Sequence, residues 1–251
     1  MKEHPFFSVV LTTHNAQETI GETLRSVLNQ SFDDFEIIVV DDNSVDGTVN
    51  MIEKELKLTN IGSKVVCLTD NMGVSVARNK GINSSSGYYI AFLDDDDLWC
   101  SDKLIIQHNI IIENDVDWVF SNYYVINEEY VQVGKRYREP GYYAFNKFVI
   151  DGNPVGLLTV VIKKQILLKY EFKDVQHEDY DLWLEISQHG YCGYLIKDYL
   201  AMYMKRSSSA SSNKMKSAYW TYLVFRRHNI GNIKSVFLIV RYFINVLSRK
   251  R

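Results

Sequence analysis

Short apolar runs and helical stretches alternate along the first half of this chain, and that alternation restricts its fold more than any other feature. Residues 7–11, 35–40, 64–69, 88–93 and 117–125 read as strands. Between them, Asn15 followed by Glu18 reads as an N-cap for a helix carrying Ile20, Leu24, Val27 and Leu28. Asp46 reads as the cap of a helix carrying Val49, Ile52 and Leu56, and residues 74–82 and 104–112 read as two more helices. Strand alternating with helix requires right-handed crossovers. The expected fold is therefore α/β, a mostly parallel sheet with helices on both faces.

In such sheets ligands sit beyond the carboxyl ends of the strands. The first strand ends in Thr12, Thr13, His14 and Asn15, and the second in Asp41, Asp42, Asn43 and Ser44. The fourth ends in Asp94, Asp95, Asp96 and Asp97. Three polar clusters at three strand ends are expected to converge on one edge. Four adjacent carboxylates after a buried strand repel one another, so a cation is expected among them. A divalent ion holding a phosphorylated ligand fits, because hard cations take carboxylate oxygens and leave positions for phosphate. The alternative is a solvated acidic turn.

Other residues carry two readings each. Asp41 and Asp42 can accept hydrogen bonds from a ribose or a base, or can simply close an Asx-type turn with Asp46-Gly47. Arg78, on the helix after Gly73, can hold a phosphate or pair with Asp41 or Asp42. Residues 178–188 read as a helix with Leu182, Trp183 and Ile186 on its apolar side. Glu178, Asp179 and Asp181 at its start either complement the helix dipole or supply a general base. Residues 153–162 read as a strand entered from a loop, and Pro140-Gly141 marks a turn in an aromatic, basic stretch.

At 251 residues the chain can form one large domain, or a domain with an appendage. Cys67, Cys100 and Cys192 lack CxxC spacing, which suggests a reducing compartment and neither a disulfide framework nor a zinc site. No charged region followed by an apolar signal segment opens the chain, so export is not expected. Charge is unevenly divided. From Tyr199 onward there are eleven lysines and arginines and no acid; against a chain total of −3, this tail of +11 leaves −14 for the rest. Lys234, Arg241, Asn245 and Ser248 fall on one helical stripe, with aliphatic and aromatic residues around the remainder. That segment is too short and interrupted to span a bilayer. It reads as an interfacial helix on an anionic membrane surface, or as a helix docked on the domain or a second subunit. Nucleic acid is not an expected partner, because the basic residues are interleaved with aliphatics and no recognition motif is present.

Residues 8–15 (SVVLTTHN), 41–48 (DDNSVDGT), 73–81 (GVSVARNKG), 92–97 (FLDDDD) and 178–184 (EDYDLWL) resemble, in order and rough spacing, the motifs of family 2 glycosyltransferases. The resemblance covers about residues 6–210. It implies the GT-A fold, a Rossmann-like nucleotide-binding half (1–125) joined to an acceptor-binding half (126–212), with a basic helical tail (213–251). It implies inverting transfer of a sugar from a nucleotide diphosphate donor, here a UDP-hexose, with Mn²⁺ or Mg²⁺ as cofactor. By position, Thr12, His14, Asn15 and Asp42 would contact the nucleoside. Asp94 and Asp95 would approach the nucleotide sugar, Asp94 and Asp96 the metal, and Arg78 the donor. Asp179 would be the catalytic base. Glu178 and Asp97 carry no settled role, and Asp97 matches a DxDD variant of the motif found in bacterial surface-polysaccharide enzymes.

Two departures from the family pattern stand out. Where relatives often have Tyr-Arg-x-His, this chain has Tyr203-Met204-Lys205-Arg206, so Lys205 or Arg206 would neutralise the diphosphate in place of a metal-touching histidine. His14 stands where many relatives carry tyrosine. The expected setting is the cytoplasmic, inner face of the plasma membrane, with a lipid-diphosphate-linked saccharide of O-antigen or capsule synthesis as acceptor. Two other readings share the donor site: a non-catalytic nucleotide-sugar-binding subunit, and a sugar-nucleotide nucleotidyltransferase. The second needs a glycine-rich phosphate loop, and Thr12–Asn15 contains no glycine.

Overall fold

The computed structural model describes residues 4–206 and 214–248, with side chains described through Arg241. Its centre is one ten-stranded sheet ordered β3 (Ser63–Cys67), β2 (Phe35–Asp41), β1 (Phe7–Thr13), β4 (Tyr89–Asp94), β9 (Val161–Lys163), β6 (Trp118–Ile126), β10 (Gly193–Met204) and β5 (Leu98–Trp99). β7 (Gln132–Arg136) pairs with β6, and β8 (Gly141–Tyr143) with β10. β3, β2, β1, β4, β6 and β10 all run one way, while β9, β5, β7 and β8 run against them. The sheet is mixed and mostly parallel, as the alternating pattern requires.

Val9-Val10 and Ile37-Ile38-Val39-Val40 make near-continuous apolar runs because both faces of these strands are covered. Alternate residues feed two cores. Leu11, Ile37 and Val39 pack with Ile20 and Leu24 of α1 (Ile20–Leu28), Ile52 of α2 (Thr48–Leu56) and Leu104 of α4 (Lys103–Asn114). Val10, Val40 and Phe92 pack on the opposite face with Ala77 and Ile82 of α3 (Val74–Ser84), Phe148 of α5 (Phe145–Asp151) and Trp183 of α7 (Glu178–Gln188). Gly81 lets α3 lie directly on Val10 and Val40, which a Cβ there would meet. The short α6 (Lys164–Leu167) follows β9.

Two local expectations are corrected. α1 starts at Ile20 with Thr19 at its N-cap, not at Asn15; Asn15 is left-handed (φ 52°) in the preceding loop. Residues 153–162 are mostly not a strand: a 3-10 turn, Leu157–Thr159, precedes the three-residue β9. The tail, read as an interfacial helix or as one docked on the domain or a second subunit, does dock on the domain. α8 (Lys214–Arg227) and α9 (Asn232–Ser248) form a hairpin packed on the α7 face through Val224, Phe225 and Leu238. Lys234 and Arg241 are described. The side chains of Asn245 and Ser248, residues 249–251 and the 212/213 boundary lie outside the described residues.

Candidate active site

β1, β2 and β4 are adjacent and parallel, in a register that sets Thr12 beside Asp94 and Thr13 beside Asp41. The three polar clusters therefore meet at one edge, around a cleft of ≈ 290 Å³ whose walls include Thr12, His14, Asp42, Asn71, Asp94 and Asp95. Thr12 Oγ1 donates to Asp94 Oδ1 at 3.2 Å. The His14 N–H donates to Asp95 at 3.0 Å, tying the first strand end to the aspartate run. The His14 ring is held on both nitrogens. Nδ1 lies 2.7 Å from the Asp42 carbonyl oxygen, so it carries the proton, and Nε2 accepts from the Asn15 and Asn71 amides at 2.9 and 3.0 Å. Asn15 also takes the Val45 N–H at 2.9 Å and gives its own N–H to Ser44, clasping the two loops together.

Asp42 accepts the Met72 and Gly73 N–H groups at 2.7 and 2.8 Å, one on each oxygen. It thereby sets the turn into α3, where Gly73 has φ 87° and no side chain is needed. Asp41 closes the neighbouring turn by accepting from Ser44, and its other oxygen is buried with no partner, as is Thr13 Oγ1 on the cleft wall.

Arg78 corrects another expectation. It pairs with neither Asp41 nor Asp42. Its Nη2 donates to both oxygens of Asp94 at 3.0 and 3.2 Å, and its Nη1 donates to Glu178 at 2.6 Å. This buried guanidinium joins the donor-side aspartates to the first turn of α7, one hundred positions along the chain. Burial opposes its charge, but the two carboxylates outweigh that and raise its pKa. Asp179 follows Glu178 directly. Its Oδ1 accepts the Tyr180 N–H at 2.7 Å and its Oδ2 accepts from Asn153 Nδ2 at 3.0 Å. Burial, then the charge of Glu178, raises its pKa, a shift that would suit a general base. Asp181, on the same turn, points away from the cleft to Arg227 and His228 of the tail hairpin.

The aspartates differ in environment. Burial raises Asp95 to about 6, against the His14 hydrogen bond. Burial also raises Asp96, opposed by Arg206, whose Nε donates to Asp96 Oδ2 at 2.7 Å. Asp97 is fully enclosed and raised well above the usual range by burial and then by Asp96 and Asp94. Its Oδ1 accepts the Met204 N–H at 2.8 Å and so pins the end of β10 beside the aspartate run. The Lys205 N–H reaches the Ile126 carbonyl at 2.8 Å, and both Lys205 and Arg206 are exposed.

Among the described residues, no three metal-ligating side chains converge. Asp94 on the cleft wall and Asp96 two residues on nonetheless offer hard oxygen donors, each matched by an arginine. A Mg²⁺-like ion is commonly held by one or two carboxylates plus substrate phosphate oxygens, so the donor set fits a cation that arrives with a diphosphate.

The profile of Glycosyl transferase family 2 matches residues 8–171. The chain belongs to that family. A protein of Escherichia coli, UDP-Glc:alpha-D-GlcNAc-diphosphoundecaprenol beta-1,3-glucosyltransferase WfgD, is 34% identical over 214 residues, covering 83% of this chain and 81% of that one. Among solved structures, residues 1–349 of S. aureus TarS in complex with UDP-GlcNAc superpose with a TM-score of 0.73 at 21% identity, covering 94% of this chain and 71% of that one. The mannosyltransferase PcManGT of Pyrobaculum calidifontis, in complex with GDP-Man and Mn²⁺, gives 0.71 at 16%, covering 98% and 76%. Both share the fold. This family 2 chain is a glycosyltransferase with the GT-A architecture.

Asn153, Asn71 and the Arg206–Asp96 pair escaped the sequence reading. A polar residue in a Gly-Asn-Pro turn carries no signal of its own, and its partner Asp179 is 26 positions away.

Proposed function

We propose that this enzyme transfers one hexose, with UDP-glucose as donor, to a lipid-diphosphate-linked saccharide in bacterial surface-polysaccharide synthesis of the O-antigen or capsule type. The description of WfgD supports the donor and acceptor classes. The observation that carries the reading is Arg78, which holds Asp94 and Glu178 together and so sets the donor-side acids beside Asp179.

In this reading Thr12, His14, Asn15 and Asp42 frame the nucleoside. Asp42 does so through the lone pairs left after its two backbone bonds. Asp94 and Asp96 would hold Mn²⁺ or Mg²⁺, which supplies Lewis-acid stabilisation of the charge growing on the diphosphate. Asp95 borders the nucleotide sugar, Arg78 keeps the two acidic groups in register, and Lys205 and Arg206 neutralise the leaving diphosphate. Asp179 takes the proton from the acceptor hydroxyl. That oxygen attacks the anomeric carbon as the bond to the diphosphate oxygen breaks, and its electron pair leaves with the diphosphate. A single displacement inverts configuration. Residues 1–125 form the donor half, 126–212 the acceptor half and 213–251 the tail. The protein works as a cytoplasmic, peripheral enzyme at the inner face of the plasma membrane, with no nucleic-acid partner.

The test uses UDP-glucose, Mn²⁺ and a synthetic GlcNAc-diphosphate-lipid. Asp179→Asn should lose transfer while keeping Mn²⁺-dependent UDP-glucose binding, because a base has been removed and not a ligand. Asp96→Ala should weaken that binding. Undiminished turnover by Asp179→Asn would overturn the assignment.

A further inference from the structure

The hairpin of α8 and α9 has two apolar sides. One is packed on the domain through Val224, Phe225 and Leu238. The other faces solvent. On α8 it consists of Met215 and Tyr219, one helical turn apart. On α9 it consists of Ile233, Val236, Phe237 and Val240, spaced i, i+3, i+4, i+7. Ile233 and Met215 are 89% and 84% exposed and Phe237 63%. Isolated exposed apolar residues are ordinary; six large ones on one short hairpin are a patch, and such patches mark interaction surfaces.

We infer that this patch seats the protein on an anionic bilayer. Charge decides the occupant. Lys216, Arg226, Lys234 and Arg241 flank the patch, and no acidic residue occurs anywhere after Asp198. A second copy meeting the same face across a two-fold axis would bring this basic rim against itself. A lipid surface carrying negative headgroups supplies the opposite charge and accepts the side chains between them. Among the described residues no helix is long and apolar enough to cross a membrane, so the helices would lie in the interface.

The same hairpin grips the base helix. His177 Nε2 lies 3.2 Å from Ser217 Oγ at the start of α8, and Arg227 Nε donates to Asp181 at 2.7 Å at its end. These contacts fall on either side of Asp179. Docking through the hairpin would therefore tether the lipid surface to the helix that carries Asp179. The inference deepens the functional reading by naming the surface that meets the membrane; it rests on that reading only for the identity of the acceptor.

Vesicle flotation of the full-length protein, without substrates, tests it. Wild-type protein should float with vesicles containing phosphatidylglycerol and phosphatidylethanolamine, and far less with pure phosphatidylcholine. Phe237→Asp with Val240→Asp should abolish flotation. Lys234→Ala with Arg241→Ala should weaken it roughly thirtyfold, at about 1 kcal/mol per charge. All four positions lie outside the core, so both variants should keep the wild-type Tm and UDP-induced stabilisation. Failure of UDP to stabilise any form counts against the glycosyltransferase site assignments and leaves flotation to judge the patch. Wild-type protein that does not float, equal flotation by Phe237→Asp/Val240→Asp, or a wild-type dimer made monomeric by those changes would overturn the inference.

Discussion

Arg206 lies 2.7 Å from Asp96, so the side chain proposed to meet the diphosphate rests on a side chain proposed to meet the metal. Met204 is fixed by Asp97 and Lys205 by Ile126, which delivers Arg206 to that point. One carboxylate oxygen cannot serve a guanidinium and a divalent cation equally well. If Asp96 holds the cation as proposed, Arg206 would have to yield it, and the incoming diphosphate would be the anion it turns to.

This exchange predicts effects of opposite sign. Arg206→Gln removes a competitor for Asp96, so Mn²⁺ should bind the nucleotide-free enzyme several-fold more tightly, read from the free Mn²⁺ signal by electron paramagnetic resonance. The same variant should bind UDP several-fold more weakly at saturating Mn²⁺, because a charge-assisted contact is gone. Both affinities falling together would show that Arg206 only supports the loop.

Arg78 should prove costly to remove. It is buried, and its loss leaves Asp94 and Glu178 without their shared cation. Breaking a buried pair costs about 3–5 kcal/mol. Arg78→Met should approach that loss in urea unfolding. A cycle with Glu178→Gln should give a coupling above about 1 kcal/mol. Additive losses would mean that the bridge is not an energetic link between the two halves of the site.

Much of this arrangement could be read from the chain, and the failures have physical causes. α7 matches the expected 178–188 because Leu182, Trp183 and Ile186 keep helical spacing. The convergence of the polar clusters was legible because β1, β2 and β4 are buried on both faces and so appear as apolar runs. β10 went unread. Its twelve residues include Lys197 and Asp198, exposed in the first of two register shifts, and half-exposed tyrosines, so neither alternation nor an apolar run survives. Asn15 has the local chemistry of a helix cap, but tertiary bonds to Ser44 and Val45 hold it in a loop. Arg78 reads as a partner of Asp41 or Asp42 because they are the acids at a neighbouring strand end; its true partners are Asp94 and Glu178, and the second lies a hundred residues on.

Asp181 anchors the tail hairpin, and its titration should show in stability. Burial alone would raise its pKa; hydrogen bonds from His228 and Arg227 outweigh that and bring it down to about 2. A folded-state pKa below the unfolded value near 3.8 stabilises the fold above pH 4, and the gain is lost as pH falls from about 4 to 2. Two pKa units correspond to about 2–3 kcal/mol. Asp181→Asn should therefore be less stable than wild type by about 2 kcal/mol at pH 7, with the gap closing towards pH 2. Denaturant unfolding across that range checks it, and a gap that stays constant with pH would place the loss in packing.

Asn153 offers the most direct probe of the proposed base, Asp179. Its amide donates to Asp179 Oδ2 at 3.0 Å, a bond that favours the charged carboxylate. The groups around that carboxylate divide by sign. Burial and Glu178 already push its pKa up, while the Tyr180 N–H, Arg78 and His177 pull it down. Removing one more donor shifts the balance further up. Asn153→Ala should move the acidic limb of the kcat–pH profile to higher pH by somewhat under one unit, which corresponds to about 1 kcal/mol for one hydrogen bond. Turnover should recover at high pH, and the KM for UDP-glucose should stay put, because Asn153 touches no proposed donor ligand. Asn153→Asp, which sets a second negative charge beside Asp179, should move the limb further in the same direction. A uniform drop in kcat with an unmoved limb would mean that Asn153 only supports its loop and that the group titrating in catalysis is not Asp179.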